Sequence, residues 1–131
     1  MIFLSFFLLI ISQKSALAVD HNTLVINQVR GTECCSPGKT TYLQSQLNAA
    51  LQLQLPTTFM LRYDSLKDAA FVRLIKNYRE HPLIEWGAFL EITPSLAKEA
   101  GVAYAGNENN WYEAQFAYLI GYSQEERQKI I

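Results

Sequence analysis

An α/β protein with parallel strands is what this sequence predicts, and three features predict it. Short runs of β-branched, aromatic and apolar residues begin at Thr23, Thr57 and Leu83 and have the composition of strands. Each run is followed by a segment with helical spacing or a helix start signal. Pro56 and Pro82 stand at the helix-to-strand junctions, where a helix has to stop. Such a β-α-β-α-β-α order calls for parallel strands joined by helical crossovers.

The first run, Thr23-Leu24-Val25-Ile26-Asn27-Gln28-Val29, reads as a buried strand, and Cys34 to Lys39, with Ser, Pro and Gly, reads as a loop. Leu43, Leu47, Ala50 and Leu51 then recur at helical spacing, with glutamines and Asn48 on the opposite face. Pro56 ends this helix. Thr57 to Tyr63 forms the second strand, centred on Thr58, Phe59, Met60 and Leu61. Ser65, with Asp68 three residues on, gives a capping-box-like start to a second helix. Its buried stripe is expected at Leu66, Ala69, Ala70, Val72, Ile75 and Tyr78.

Leu83 to Ile92 reads as the third strand. Thr93 as N-cap and Pro94 at the first helical position open a short helix that Gly101 closes in the left-handed conformation. Ser123 and Glu126 form an S-x-x-E capping box for a last helix beginning at Gln124. That helix has room for only about two turns before Ile131. Three parallel strands also leave two open edges, so the expectation is the N-terminal part of a longer α/β fold.

The first eighteen residues are expected to stand apart from this fold. Ile2 to Ile11 is apolar except for Ser5, about half the ~20 residues that a membrane-spanning helix needs. Ala16-Leu17-Ala18 follows as an A-x-A site, so residues 1–18 read as a secretory signal peptide cleaved after Ala18. The mature domain is then 19–131, secreted or in the cell envelope, with no stable membrane span after cleavage.

Composition narrows the function. At 131 residues the chain holds at most one ordinary domain, and with half its residues apolar and 18% charged it belongs among globular chains. The net charge of −1 excludes a protein that grips nucleic acid mainly through its phosphates. Gly38-Lys39-Thr40 resembles the end of a phosphate-binding loop, but the position that needs the first glycine is Glu33, whose carboxylate would repel phosphate. Adjacent Cys34 and Cys35 read as structural, paired elsewhere or with each other; His21 and His81 stand apart, so neither a metal nor another cofactor is indicated.

Candidate site residues lie where parallel sheets place them, at the carboxyl ends of the strands. The first strand leads to Asn27, Gln28, Arg30 and Glu33, the second to Arg62, Tyr63 and Asp64, and the third to Glu91. Carboxylates, arginines and amides around an aromatic suit a polar, hydroxyl-rich ligand such as a polysaccharide or other glycan. Glu91 is the best acid/base candidate and Asp64 its carboxylate partner, the pairing that glycoside hydrolysis uses. Arg30, Arg62 and Tyr63 would position the substrate, and Trp111 or Tyr112 could stack on a sugar ring.

The passage Leu55-Pro56-Thr57-Thr58-Phe59 resembles the second strand of polysaccharide deacetylase (NodB-homology) domains. Thr23 to Gly31 stands at the place of that family's first strand, and Trp86 to Glu91 at that of its third. The resemblance, over Val19 to Ile92, implies a (β/α) barrel acting on acylated polysaccharide or descended from enzymes that do. The family's paired aspartates are matched here by Asn27-Gln28-Val29-Arg30-Gly31, and its H-x-x-x-H pair by Phe89 to Pro94, which holds no histidine. Metal-dependent hydrolysis is therefore not supported, and none of the family's catalytic residues carries over. Two readings follow: an exported carbohydrate-active hydrolase of altered site, or a non-catalytic glycan-binding or scaffold domain. The open strand edges could in addition take a partner chain.

Overall fold

The computed structural model describes residues 24–33, 40–107 and 109–131. The expected signal peptide, His21, Thr23 and the loop expected over Cys34 to Lys39, with both cysteines, lie outside these residues. Three strands, β1 (Val25–Val29), β2 (Thr57–Leu61) and β3 (Ile84–Ala88), form one sheet in the order β1-β2-β3. Both pairings are parallel, with Phe59 of β2 opposite Asn27 of β1 and Trp86 of β3. The chain thus has the α/β class and the strand direction its sequence predicts.

Helix α1 (Thr40–Gln52) connects β1 to β2; α2 (Tyr63–Lys67) and α3 (Ala69–Tyr78) connect β2 to β3. Helices α1 and α3 cover the same sheet face, as right-handed crossovers between neighbouring parallel strands require. Strand alternation sends Val29, Phe59, Leu61 and Ile84 into this core, against Leu43, Leu47 and Ala50 of α1 and Phe71 of α3. Phe59 and Trp86 pack ring on ring at 5.3 Å. Burying each such Leu or Phe contributes roughly 1.5–3 kcal/mol, which makes this cluster the anchor of the fold. The other face carries Ile26, Gln28, Thr58, Met60 and Glu85, and Ile26 is 58% exposed. A Cβ on Gly87 would lie 2.7 Å from Met60 Sδ, so glycine here makes room for the Met60 side chain.

Several boundaries differ from expectation, each for a local reason. α1 stops at Gln52, before Pro56, because Gln54 turns left-handed (φ 52°). The N–H of Leu55 then reaches Ala50 O and that of Gln54 reaches Leu51 O, a Schellman ending. The helical segment after β2 starts at Tyr63 and is split in two. Asp68 is the cap of α3, accepting from the N–H groups of Ala70 and Phe71, whereas Ser65 lies inside α2 and donates its hydroxyl to Arg62 O. This shifts the buried stripe to Phe71, Leu74, Ile75 and Tyr78, and leaves Leu66 and Ala69 exposed.

After β3 come α4 (Pro94–Glu99), α5 (Ala114–Ala117), a 3-10 turn (Leu119–Gly121) and α6 (Gln124–Ile130). Thr93 Oγ1 accepts from Leu96 N, Gly101 is left-handed at φ 67°, and Ser123 and Glu126 close a full capping box, all as the sequence indicates. Ile92, Ala97, Val102, Tyr122 and Ile130 form a second apolar cluster. No helix among the described residues is long and apolar enough to cross a membrane.

Candidate functional site

The parallel register brings the expected residues to one rim. Arg30 and Arg62 each follow immediately after their strands, Asp64 stands in the first turn of α2, and Glu91 lies just past β3. Arg62 is 1% exposed, and Asp64 and Glu91 are 4% exposed. Buried charges of this kind persist only when paired and hydrogen-bonded.

The pairing is complete. Arg62 forks onto Asp64, with Nε donating to Oδ1 and Nη2 to Oδ2, both at 2.7 Å. Its third nitrogen, Nη1, donates to Glu91 Oε2 at 3.1 Å, and Nη2 also donates to the Glu33 carbonyl. Arg30 forks onto Glu91 from the other side, Nε to Oε2 at 2.8 Å and Nη2 to Oε1 at 3.3 Å. Asp64 accepts three backbone N–H groups besides, from Gly31 (3.1 Å), Glu33 (2.9 Å) and Ser65 (3.0 Å). Two arginines thus face two carboxylates, and no buried side-chain polar atom among the described residues lacks a partner.

Titration follows from this geometry. Burial by itself would raise the Asp64 pKa, but the Arg62 hydrogen bond, the Glu33 and Gly31 amides and the Arg62 charge together hold it below its ordinary value. Burial by itself would lower that of Arg62, but the bonds and charges of Asp64 and Glu91 prevail and fix the guanidinium in its charged form. A carboxylate with both oxygens engaged and its pKa depressed is a poor proton donor near neutrality.

Around this clamp the rim changes character. The Arg30 guanidinium lies 5.8 Å from the Phe89 ring centroid, a cation–π distance, and its side chain is 38% exposed. Beside it opens a recess of about 80 Å³ with Gln28, Arg30, Tyr42 and Gln46 as polar walls and Val29, Leu43 and Phe71 as its apolar lining. On the far side, a groove of about 280 Å³ runs between the end of β3, α2 and α4. Tyr63 borders that groove. Its hydroxyl donates to Glu99, and this bond to a carboxylate raises the phenol pKa. Lys67 salt-bridges the same Glu99 at 2.9 Å.

The structure therefore brings together Arg30, Arg62, Asp64 and Glu91, and sets Tyr63 beside α4. Trp111 sits apart, in the turn before α5, with its ring edge-on to Tyr112 at 5.7 Å; no hydrogen bond joins it to the clamp. His81 is a turn residue whose Nδ1 accepts from Leu83 N. Two participants were not legible as such. Gly31 permits the close approach to Asp64, since a Cβ there would stand 2.7 Å from Asp64 Cγ. Ser95 gives its N–H to the Glu33 carboxylate at 2.9 Å. Among the described residues no group of three His, Cys, Asp or Glu side chains is placed to hold a metal ion. No family model matches the chain, and neither does any curated protein or solved structure.

Proposed function

We propose that this chain is a glycan-binding α/β domain that holds its ligand at the carboxyl rim without hydrolysing it. The observation that carries the reading is the division of labour at the rim: Asp64 and Glu91 are consumed in a buried clamp, while the adjacent recess is walled by Gln28, Gln46 and Tyr42, with Arg30 joining the two through its bonds to Glu91 and Gln28. Amides and a guanidinium suit sugar hydroxyls, and the exposed Tyr42 ring suits the apolar face of a pyranose. The sugar class itself rests on the resemblance of Leu55 to Phe59, and of the segments around it, to polysaccharide deacetylases.

In this reading β1, β2 and β3 are the first strands of a barrel of that type. α1 and α3 lie outside, and the face with Ile26, Gln28, Thr58 and Met60 turns toward the axis. Residues 1–18 direct export, and the domain works outside the cytosol. The rival reading, hydrolysis of acyl or glycosidic bonds, requires Glu91 or Asp64 to reach a substrate. A glycan array with the exported chain, followed by assay of the bound glycans for released acetate and reducing ends, separates the two. Binding lost on Tyr42→Ala or Gln46→Ala, with no product released, is the expected result. Product formation that disappears in Glu91→Gln would overturn the binding reading.

A further inference from the structure

The described residues contain two apolar clusters with no residue in common. One fastens α1 and α3 to the sheet through Leu47, Phe59 and Phe71; the other gathers Ile92, Ala97, Val102, Tyr122 and Ile130. Between them lie a few polar ties and a groove whose walls, Leu61, Leu66, Phe89, Leu90 and Leu96, are apolar but stand apart. The Glu33 carboxylate accepts from Ser95 N, and Glu99 holds the Tyr63 hydroxyl and the Lys67 ammonium. Where α2 lies against α4 the contact is also incomplete, because the groove of about 280 Å³ opens there.

We propose that residues 92–131 form a lobe that undocks as a body from the three-stranded unit, with Glu33 as the latch. The boundary is sharp along the chain. The Glu91 carboxylate is clamped by Arg30 and Arg62, whereas the next residue, Ile92, gives its N–H to Ala117 O inside the lobe. Glu33 is fixed to the sheet unit by its backbone, which donates to Asp64 and accepts from Arg62, so that its carboxylate alone crosses to α4. The first turn of α4 is thus completed from both sides: Thr93 caps Leu96 N from within the lobe, and Glu33 satisfies Ser95 N from outside. Opening hands Ser95 N–H and the Glu33 carboxylate to water together, so neither is left buried and unpaired. Apolar contacts within a cluster break together, while these few polar ties can be exchanged for water with both clusters intact. Separate opening units of this kind have lower free energies than global unfolding.

The test is hydrogen exchange on the full chain in low urea, read by peptide. In the wild type, amides of Ile92, Ala97 and Val102 are expected to exchange through an opening distinct from that of Phe59 and Leu61. Glu33→Ala removes only the side-chain tie, and it should speed exchange across 92–131 about tenfold, as the loss of one charge-assisted bond implies, with 57–61 unchanged. Leu47→Ala should do the reverse. A single opening shared by both segments in the wild type overturns the proposal, as does equal acceleration or no acceleration of the two segments in Glu33→Ala.

Discussion

Two ion-pair groups sit within a few residues of each other at the carboxyl rim, built from similar chemistry and put to different use. Arg62 with Asp64 and Glu91 is sealed from solvent, each member 4% exposed or less. Lys67 with Glu99 and Tyr63 stands in water, with the Lys67 and Glu99 side chains 55% and 60% exposed. The buried set is geometrically closed, fork against carboxylate, because any unpaired charge there would be costly. The exposed set can lose a partner to solvent at little cost. The difference teaches that a carboxylate's role at this rim is decided by its enclosure more than by its place after a strand.

The largest test of that contrast is Arg62→Met. It leaves Asp64 and Glu91 buried without their common cation and should cost about 3–5 kcal/mol in urea unfolding. A loss near zero would place the clamp in solvent. Next comes Gly31→Ala, whose Cβ would meet Asp64 Cγ, Asp64 Oδ2 and Ser65 N, each at 2.7 Å. The backbone of the first loop must then move off Asp64, at an expected cost of roughly 1–3 kcal/mol by the same assay.

Acid sharpens the comparison further. Asp64 titrates lower in the folded chain than in the unfolded one, so its contribution to stability is complete above its ordinary value of 3.8 and is lost as pH falls below that toward the folded value. Urea midpoints taken downward from pH 5 should show this loss in the wild type and lack it in Asp64→Asn. The smallest effect is expected of Glu99→Gln, whose unfolding midpoint should be indistinguishable from wild type. A clear destabilisation would mean that the exposed group is held as firmly as the buried one.

Much of the fold was legible because it rests on local signals. Thr93-Pro94, Gly101 and the Ser123–Glu126 box mark helix ends by backbone chemistry that needs no tertiary partner. The split after β2 was not legible. Ser65 and Asp68 are both good caps; Asp68 takes the role, while the Ser65 hydroxyl is spent on Arg62 O inside the turn that Asp64 ties to Gly31, Glu33 and Arg62. The stripe of α3 differs as well: Phe71, with Leu74, Ile75 and Tyr78, packs against the core, a place expected for Leu66, Ala69, Ala70 and Val72. At the site, strand direction alone placed Arg30, Arg62, Asp64 and Glu91 on one rim. That these would neutralise one another under cover depends on distances between elements far apart in sequence, as Glu91 is 61 residues from Arg30. Trp111 stands apart from them, beside a turn held by local bonds, Asn107 N–H donating to Asn110 Oδ1 and Asn109 N–H to Asn107 Oδ1.

The closed clamp is best tested by carbon-13 NMR titration of the Asp64 carboxyl. The signal should stay that of the carboxylate down through pH 3.8, with its midpoint lower still. A midpoint at or above 3.8 would mean that Arg62 does not hold Asp64, and would return that carboxylate to the list of proton donors.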